Sequence, residues 1–334
     1  MPKVTLVIPV YNTSKYLLRC LDSVRMQTLK DIEVIIINDG STDDSLRICE
    51  DYINTHKLDW KVYSKQNGGL SSARRYGYER SSGDYIVFID SDDDILPGYC
   101  KRMYESLIST DSQLAICGYN LCNGSSCTPN IPALGKSLIE NIPEEYGKRL
   151  ILDTPIGKRI PGFLWMRMMK RDLITEECFI NENKVFSEDL IFDLVYSKSI
   201  NRIVLVSEVL YNYYVNPGSL TLKYRPNMLE MSINLQTFQY SYLSSNNLLD
   251  GNVSHDFARA AIEGIVAALV NTLRFGNLME VRKLMKKIRA EEKYKESLKL
   301  LRDQRSLARR HKIWCFLINN NISITPYLFY KIKY

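Results

Sequence analysis

Short apolar runs alternate with helix-like segments throughout the first 120 residues. The runs are rich in Val, Ile and Tyr, and the segments between them repeat apolar residues at helical spacing. The five runs begin at Val4 (VTLVIPV), Glu33 (EVIIIN), Trp60 (WKVYS), Asp84 (DYIVFI) and Gln113 (QLAICGY). Strands that alternate with helices predict a parallel α/β sheet, and nearly continuous apolar runs predict strands covered on both faces.

Two of the intervening segments have a clear apolar face, so the sheet is expected to be flanked by helices. The apolar positions are Leu17, Leu21 and Val24 in the first segment and Leu46, Cys49 and Ile53 in the second. Ser41 or Thr42 is expected to cap the second helix, with acidic residues in its first turn.

Polar residues collect where each of the first four predicted strands ends. They are Tyr11 and Asn12; Asp39, Gly40 and Ser41; Asn67, Gly68 and Gly69; and Asp90, Asp92, Asp93 and Asp94. In open parallel sheets, ligands bind outside the carboxyl ends of the strands. Four strand ends that converge on one rim therefore predict a ligand site more strongly than any one of them.

The aspartates after the fourth strand predict a cation site. Carboxylates this close repel each other, and burying them without partners costs several kcal/mol each. Mg²⁺ and Mn²⁺ prefer oxygen ligands, and Mg²⁺ often binds one or two carboxylates together with substrate phosphates. Asp90 and Asp92 are the expected ligands. Asp93 and Asp94 fit a solvated acidic loop with a helix cap equally well.

The phosphate-binding segment must differ from the common glycine-rich loops. Neither GxGxxG nor GxxxxGK[ST] occurs in the chain, so no Rossmann dinucleotide site and no P-loop is indicated. QNGGLSSARR instead supplies a turn followed by Arg74 and Arg75 near a helix start. Backbone N–H groups and guanidinium groups there favour anions, although surface arginines on a helix are an alternative.

Four motifs, in this order, resemble the family 2 glycosyltransferases. They are PVYN (Pro9–Asn12), NDGSTDDS (Asn38–Ser45), QNGGLSSAR (Gln66–Arg74) and DSDD (Asp90–Asp93). The resemblance is strong over roughly residues 3–110 and moderate over 160–222. It implies the GT-A fold, in which a sheet binds a nucleotide sugar, commonly a uridine diphosphate sugar. A mostly helical region is expected after Pro226.

The resemblance also implies roles for matched residues. Tyr11 would stack on uracil and Asp39 would hydrogen-bond it. Asp90 would face the ribose, and Asp92 would bind the metal that bridges the diphosphate, with Asp90 as a second candidate ligand. Arg74 would lie near the donor, although Arg75 replaces the Asn usual in the family. The other expected substrate-binding residues are Pro9, Asn12, Asn67, Gly68, Trp165 and Glu188.

The pair Glu188–Asp189 matches the ED motif of the family, whose aspartate is its general base. An acceptor hydroxyl is a weak nucleophile, and a carboxylate near the anomeric carbon can take its proton. The metal would stabilise charge on the leaving diphosphate, and attack from the opposite face would invert the sugar. By themselves, the two acidic residues are also favourable as charges at a helix N-terminus.

The acceptor side and the metal shell match the family only in part. Trp165 and the segment WMRMMKRDLI resemble an acceptor-side helix. Many relatives carry a downstream histidine that binds the metal, but none of this chain's three histidines has a suitable position, and YNYYVNPGSLT offers tyrosines and Ser219 instead. QxxRW, typical of processive relatives, is absent, so one sugar is expected per encounter.

The C-terminal end is strongly basic. From Val281 to Tyr334 there are 15 Lys and Arg against 4 Asp and Glu, a net charge of +11, whereas the other residues carry 29 against 34, which is −5. RRHKIWCFLINN and PYLFYKIKY combine cations with aromatic residues such as Phe316 and Phe329. This pattern favours a contact with an anionic membrane surface, or else a basic subdomain that packs on a protein.

The compartment follows from what the sequence lacks. No run of 18 apolar residues and no signal-peptide pattern occurs, so the protein is expected in the cytoplasm, at the inner face of the membrane. The eight cysteines are scattered without a CxxC pair. They are expected to be buried or half-buried thiols, and the evenly spaced Cys117, Cys122 and Cys127 are included in that expectation.

Length predicts two domains, or one large domain with an appendage. The expected division is a glycosyltransferase domain over 1–222, with a nucleotide-sugar half (1–120) and an acceptor half (121–222), then a basic helical region over 223–334. The expected activity is metal-dependent, inverting transfer of a hexosyl or N-acetylhexosaminyl group. The expected acceptor is a lipid-linked saccharide in capsule or other cell-surface polysaccharide synthesis. Alternatives are a protein- or teichoic-acid-directed transferase and an inactive partner subunit.

Two more distant classes fit less well. A nucleotidyltransferase would need a Gly-rich, Lys- or Arg-bearing loop after the first strand, where this chain has PVYNTSKY. A nucleic-acid-binding protein would use the basic tail, but the acidic rim would repel phosphate without a metal.

Overall fold

The structure, a computed structural model, describes residues 2–131, 137–152, 160–181, 183–216, 224–301, 307 and 309–327. Its strands are β1 (Val4–Val10), β2 (Ile32–Asn38), β3 (Lys61–Ser64), β4 (Tyr85–Phe88), β5 (Asp94–Ile95), β6 (Leu114–Asn123), β7 (Ser126–Asn130), β8 (Leu138–Ile139), β9 (Arg167–Lys170) and β10 (Ile203–Tyr214). Its α-helices are α1 (Ser14–Arg25), α2 (Ser45–His56), α3 (Leu70–Tyr78), α4 (Tyr99–Thr110), α5 (Lys148–Ile151), α6 (Glu188–Tyr196), α7 (Met228–Ser245), α8 (Gly251–Phe275), α9 (Leu278–Ala290), α10 (Glu292–Leu300) and α11 (Arg309–Asn319). Short turns of other helical types lie at Ile142–Gly147, Leu164–Met166, Arg171–Leu173, Glu176–Cys178 and Ser197–Ser199.

The chain divides into two compact units. The first comprises Met1–Glu182 and Ser187–Pro217, and the second comprises Asn183–Phe186 and Gly218–Tyr334. The domain boundary predicted at residue 222 falls outside the described residues and stays a prediction.

One mixed sheet forms the centre of the first unit. Its strand order is β3-β2-β1-β4-β9-β6-β10-β5, with β7 added to β6 and β8 added to β10. The four strands β3, β2, β1 and β4 run parallel, as the sequence predicts. The fifth predicted strand, β6, does not join them directly, because β9 inserts antiparallel to both β4 and β6. Beyond β4 the sheet is mixed, because β9 runs antiparallel to both of its neighbours while β6 and β10 pair in parallel.

Helix α3 packs very closely on β1, and a glycine makes this possible. All seven residues of β1 are buried. A Cβ atom at Gly77 of α3 would lie only 2.3 Å from Val7 Cγ1 of β1, a distance that two carbon atoms cannot adopt. The same helix carries Arg74, so this close approach sets the depth at which the guanidinium enters the site.

The segment WMRMMK is not helical, which corrects the expectation of an acceptor-side helix. Leu164–Met166 form a 3₁₀ turn, and Arg167–Lys170 form β9. The reason is the gap between β4 and β6, which β9 fills with ladder hydrogen bonds on both sides. Three consecutive buried residues suit such a central strand.

Helix α2 begins later than predicted, and neither Ser41 nor Thr42 caps it. The helix starts at Ser45 with Asp44 in the N-cap position and no acidic residue in its first turn. Asp43 instead accepts hydrogen bonds from the backbone N–H groups of Ser45 and Ser14 at 3.0 and 3.1 Å. Ser41 is engaged elsewhere, because its hydroxyl accepts from a backbone N–H in the loop after β1.

The prediction that every cysteine is a free thiol is wrong for one pair. Cys122 and Cys127 form a disulfide bond. They face each other across the antiparallel β6–β7 hairpin, with their Cα atoms 4.1 Å apart. The remaining six cysteines are buried free thiols, as expected. The signal for the pair was the hairpin turn in CNGSSC, since Asn-Gly between strand-like residues is typical of a tight hairpin.

The second unit is helical in its described part, as predicted for the chain after Pro226. Helices α7 to α11 surround an apolar core that includes Ile262, Ile265, Leu269, Met285 and Ile288. None of the helices in the described residues is both long enough and apolar enough to cross a bilayer.

Candidate active site

The loops after β2 and β3 close around the carboxylate of Asp39. Lys65 Nζ lies 2.6 Å from Asp39 Oδ1, and the backbone N–H groups of Gly68 and Gly69 donate to the carboxylate at 3.0 and 2.8 Å. Gly69 has φ +89°, in a region that favours glycine, and this turn directs both N–H groups at one acceptor. Asn67 Nδ2 donates to the carbonyl of Asp39 at 2.9 Å. Two of the predicted strand ends therefore form one connected rim.

The loop after β1 is joined to the same rim by Asn12. Asn12 has φ +54°, which asparagine tolerates better than most residues. Its Oδ1 accepts hydrogen bonds from the backbone N–H groups of Thr42 at 2.7 Å and Asp43 at 3.3 Å. Tyr11 is 47% exposed beside this loop, whereas Pro9 is buried within β1. Tyr11 thus offers a ring face to a ligand, and the substrate roles of all three residues stay predictions.

The guanidinium of Arg74 joins two carboxylates that are far apart in the sequence. Its Nη2 donates to Asp90 Oδ1 at 3.1 Å, and its Nη1 donates to Asp189 Oδ1. The side chain of Arg74 is 2% exposed, whereas those of Asp90 and Asp189 are 23% and 17% exposed. The other oxygen of Asp189 accepts from the backbone N–H of Leu164 at 3.3 Å. Asp90 of the DSDD motif and Asp189 of the Glu188–Asp189 pair therefore contact the same guanidinium group.

The low exposure of this cluster shifts the pKa values of its members. Burial raises the pKa of Asp90 to about 6; Arg74 opposes that shift, while the Asp92 and Asp189 carboxylates add to it. Burial alone would lower the pKa of Arg74, but the Asp189, Asp90 and Glu188 carboxylates raise it above the ordinary value. The site therefore has more negative charge than one guanidinium balances, and a second cation would favour the charged form of Asp90.

Asp92 is held by two residues that the sequence did not indicate. Asn216 Nδ2 donates to Asp92 Oδ2 at 2.9 Å, and Arg19 Nη2 donates to the Asp92 carbonyl at 2.5 Å. The guanidinium of Arg19 also lies 3.5 Å from the ring centre of Tyr214. Asn216 belongs to YNYYVNPGSLT, which was the only sequence signal for it. Ser219 from the same stretch lies outside the described residues.

Asp93 and Asp94 do not form a solvated acidic loop. Asp93 is fully buried, and it accepts from the Tyr211 hydroxyl at 2.8 Å and the Tyr214 backbone N–H at 2.9 Å. Burial raises the pKa of Asp93 well above its usual value. Asp94 accepts from Asn212 Nδ2 at 2.6 Å and does not cap α4, whose N-cap is Gly98. Both residues fasten the loop to β10.

Trp165 is buried among other aromatic rings. Its side chain is 2% exposed, and it stacks on Tyr211 with ring centres 4.2 Å apart. Its carbonyl accepts from the Tyr99 hydroxyl at 2.9 Å. The neighbouring ring of Phe163 is 38% exposed. The assignment of Trp165 to substrate binding stays a prediction, and the sequence analysis did not single out Phe163.

The remaining predicted residues are placed as follows. Glu188 is half-buried at the first position of α6. Arg75 does not join the cluster of Arg74, Asp90 and Asp189. Its guanidinium pairs with Glu79 and Glu176 instead. The ring of His56, at the end of α2, lies 4.5 Å from that of Tyr52 and is tilted against it by 54°. In the part of the chain that the structure describes, no three His, Cys, Asp or Glu side chains cluster in a way that could hold a metal on their own.

The sequence matches a known protein family over half of its length. The family model described as Glycosyl transferase family 2 matches residues 5–172. The chain is also 31% identical over 257 residues to EpsH of Bacillus subtilis (strain 168), which carries the name of a glycosyltransferase. The match covers 75% of this chain and 71% of EpsH.

Solved structures share the fold. S. aureus TarS in complex with UDP has a TM-score of 0.63 and 20% identity, and the match covers 85% of this chain and 78% of that one. The mannosyltransferase PcManGT from Pyrobaculum calidifontis in complex with GDP-Man and Mn²⁺ has a TM-score of 0.51 and 14% identity, over 99% of this chain and 86% of that one. The predicted GT-A type sheet followed by a helical region is confirmed.

Proposed function

The chain belongs to glycosyl transferase family 2, and from this premise we propose that it moves one sugar from a uridine diphosphate sugar to a hydroxyl of a saccharide. One observation carries the proposal: Arg74 contacts both Asp90 and Asp189. The donor-side motif and the candidate base therefore lie on either side of a single guanidinium. The UDP bound to TarS supports a uridine nucleotide as the donor.

The proposed reaction is an inverting displacement. Asp189 takes the proton of the acceptor hydroxyl while that oxygen forms a bond to the anomeric carbon. The bond from the anomeric carbon to the phosphate oxygen breaks, and the diphosphate leaves with the electron pair. The Leu164 N–H, at 3.3 Å from Asp189 Oδ2, and Arg74 fix the orientation of the carboxylate during this step.

A divalent cation, Mn²⁺ or Mg²⁺, is part of the proposal. Asp92, with Asp90, would hold it, because carboxylate oxygens suit hard cations. The fit is supported by Asp92, whose carboxylate is half-buried and hydrogen-bonded to an uncharged amide, and by the excess of negative charge around Arg74. A bound cation stabilises the charge that develops on the leaving diphosphate. Donor phosphates and water would complete the shell, as is common for Mg²⁺.

The proposed acceptor is a lipid-linked saccharide of a cell-surface polysaccharide, reached at the inner face of the membrane. In the second unit, α9 exposes Lys283, Lys286 and Lys287. Helix α11 exposes Ile313 by 52% and Phe316 by 59%. Cations beside exposed apolar residues suit an anionic lipid surface, at about 1 kcal/mol for each Lys. Residues 328–334 of the basic tail, including Phe329, lie outside the described residues.

Flotation with vesicles tests the membrane contact. The full chain should float with phosphatidylglycerol vesicles and not with phosphatidylcholine vesicles, and the charge-reversed variant K283E/K286E/K287E should float less. The control is K57E, a charge reversal at an exposed position of the first unit. It should float to the same extent as the wild type. Equal flotation of K283E/K286E/K287E and wild type would show that these lysines do not bind lipid.

Donor use tests the enzymatic proposal directly. Release of UDP from a panel of uridine diphosphate sugars with Mn²⁺ should identify one preferred donor. UDP with Mn²⁺ should raise the melting temperature, an oligonucleotide should not, and Asp92→Asn should abolish the metal-dependent part of the shift. Stabilisation by the oligonucleotide alone, without any response to UDP, would count against a glycosyltransferase.

A further inference from the structure

Five aromatic side chains of the first unit form a single cluster. The rings of Phe163, Trp165 and Tyr213 are nearly parallel, with ring centres 5.0 Å apart for Phe163 and Trp165 and 5.5 Å for Trp165 and Tyr213. Tyr211 stacks on Trp165, and Tyr119 meets Phe163 and Trp165 nearly at right angles. Stacked and edge-to-face contacts of this kind stabilise each other, so the cluster has a defined shape.

The cluster is buried at its centre and open at its edge. Trp165 and Tyr211 are 2% and 0% exposed, whereas Phe163 is 38% exposed. Tyr213 and Tyr119 are half-buried. A single exposed Phe is ordinary on a protein surface, but here the exposed ring extends a stack of parallel rings. The part of the cluster that stays exposed is the ring of Phe163, called the aromatic face, and this ring lies parallel to that of the buried Trp165.

The backbone around Phe163 is fixed by the interior. The buried guanidinium of Arg167 donates to the carbonyls of Phe163 and Pro161. A Cβ atom at Gly162 would lie 3.1 Å from the Cα of Leu190 in α6, so the segment rests directly on that helix. An exposed ring on a held backbone loses little conformational freedom when a ligand covers it.

The aromatic cluster is connected to Asp189 and to Asp90 through backbone groups. Leu164, next to Phe163, donates its N–H to Asp189. The hydroxyl of Tyr211 accepts from the Asp90 N–H at 3.4 Å and donates to Asp93. The residue directly after Phe163 therefore contacts the candidate base, and the buried part of the cluster contacts the backbone of Asp90.

We propose that Phe163, together with Tyr213 and Tyr119, binds a pyranose ring of the acceptor and presents its hydroxyl to Asp189. The proposal rests on the proposed function. A β-glucoside-type ring has axial C–H groups on each face, and these pack on an aromatic face as any apolar surface does, while the equatorial hydroxyls stay in contact with polar groups at the edge. Trp165 is a positioning residue under this proposal, because its ring is covered.

Saturation-transfer NMR with defined probes tests whether the aromatic face binds a pyranose ring. Methyl β-D-glucopyranoside, methyl β-D-galactopyranoside and methyl N-acetyl-β-D-glucosaminide are each added to the full chain while aromatic protons are irradiated. At least one probe should receive saturation at its ring C–H protons. Phe163→Ala should weaken its binding roughly 3- to 10-fold, the size of one aromatic contact, and Phe163→Tyr should keep it. Phe238→Ala, which removes a Phe of the second unit that is 42% exposed, is the matched control and should change nothing.

Hydrolysis of the donor without acceptor separates this inference from the proposed function. The Phe163→Ala variant should hydrolyse the uridine diphosphate sugar at the wild-type rate. Only its KM for a saccharide acceptor should be higher. If the wild type binds no probe, or if the Phe163→Ala variant binds a probe as tightly as the wild type, the proposed pyranose binding is overturned even when donor hydrolysis persists. If donor hydrolysis is absent but probe binding depends on Phe163, the proposed pyranose binding is supported and the donor assignment fails.

Discussion

Two buried arginines of the first unit make the same kind of contact with one helix and have different surroundings. Arg74 pairs with Asp189, and Arg167 pairs with Asp193, one turn further along α6. Asp189 is 17% exposed and shares its arginine with Asp90, whereas Arg167 and Asp193 are both 0% exposed, with Nη2 and Oδ2 2.7 Å apart.

The difference between the pairs lies in access to solvent and ligand. The Arg74 pair lies at the open end of the sheet, where water or a ligand can replace a lost partner. The Arg167 pair has no such replacement, because desolvated charges depend on each other. Arg167 also donates to the carbonyls that precede Leu164. We therefore assign chemistry to the outer pair and stability to the inner pair.

Asp189→Asn should give the largest effect. Without a carboxylate, the acceptor proton has no base, so transfer should fall by roughly 10²–10⁴-fold. The stabilisation by UDP with Mn²⁺ should remain. The measurement is UDP release in the presence of acceptor, with Glu105→Gln on α4 as a surface control. Transfer at the wild-type rate would mean that Asp189 is not the base.

Arg167→Met should be the most destabilising single change in this comparison. It leaves Asp193 buried without its cation, which costs about 3–5 kcal/mol of unfolding free energy. Removing both charges in R167M/D193L should restore most of that loss, because a matched apolar pair needs no charge compensation. Urea unfolding followed by tryptophan fluorescence in a Trp314→Phe background reports on the first unit. An R167M/D193L protein no more stable than R167M would contradict a charge-based role.

Arg74→Lys should reduce transfer less than Asp189→Asn and destabilise less than Arg167→Met. A lysine ammonium keeps the charge but lacks the planar fork that bridges two carboxylates. The resulting misplacement of Asp189 should cost on the order of 10- to 100-fold in transfer rate. The unfolding free energy should change little, because Asp189 and Asp90 have partial access to water. A loss of stability as large as that of Arg167→Met would erase the distinction between the two pairs.

The pH dependence of stability should give the smallest effect. Burial raises the pKa of Asp193 to about 7, and Arg167 opposes that shift. A carboxyl group with a raised pKa keeps its proton in the folded state at pH values where the unfolded chain has lost it, so acidification favours folding. Without Arg167 the pKa rises further, so the stability gap between Arg167→Met and wild type should narrow from pH 8 to pH 5. Melting temperatures at both pH values measure this, and a gap that widens would contradict the sign.

The features that the sequence predicted correctly depend on neighbours along the chain. The runs that became β1, β2 and β4 show their burial in their own composition, and β1 matches the predicted run from Val4 residue for residue. The strand β3 is the exception, because it lies at the edge of the sheet and none of its residues is buried. The acidic pair Glu188–Asp189 begins α6, a helix N-terminus as the sequence allowed. The polar residues also follow the ends of the predicted strands. Hydrophobic periodicity and the topology of a parallel sheet are sufficient for such predictions.

The features that sequence analysis missed depend on segments that meet only in the folded chain. WMRMMK became a strand because β4 and β6 leave a position between them. The Cys122–Cys127 disulfide is an exception, because the two residues are only five positions apart and the turn between them was a local signal. Asn216 contacts Asp92, and Arg74 bridges two carboxylates, through pairings that no local pattern encodes.

The sequence by itself determined the family, the first half of the sheet and the rim on which the aspartates lie, because periodicity and short motifs act over a few residues. Tertiary structure decided which charges are buried together, which aromatic ring of the cluster stays exposed, and which of two similar arginine pairs solvent can reach. Burial and charge pairing are properties of several distant segments at once, so they exist only after those segments have packed.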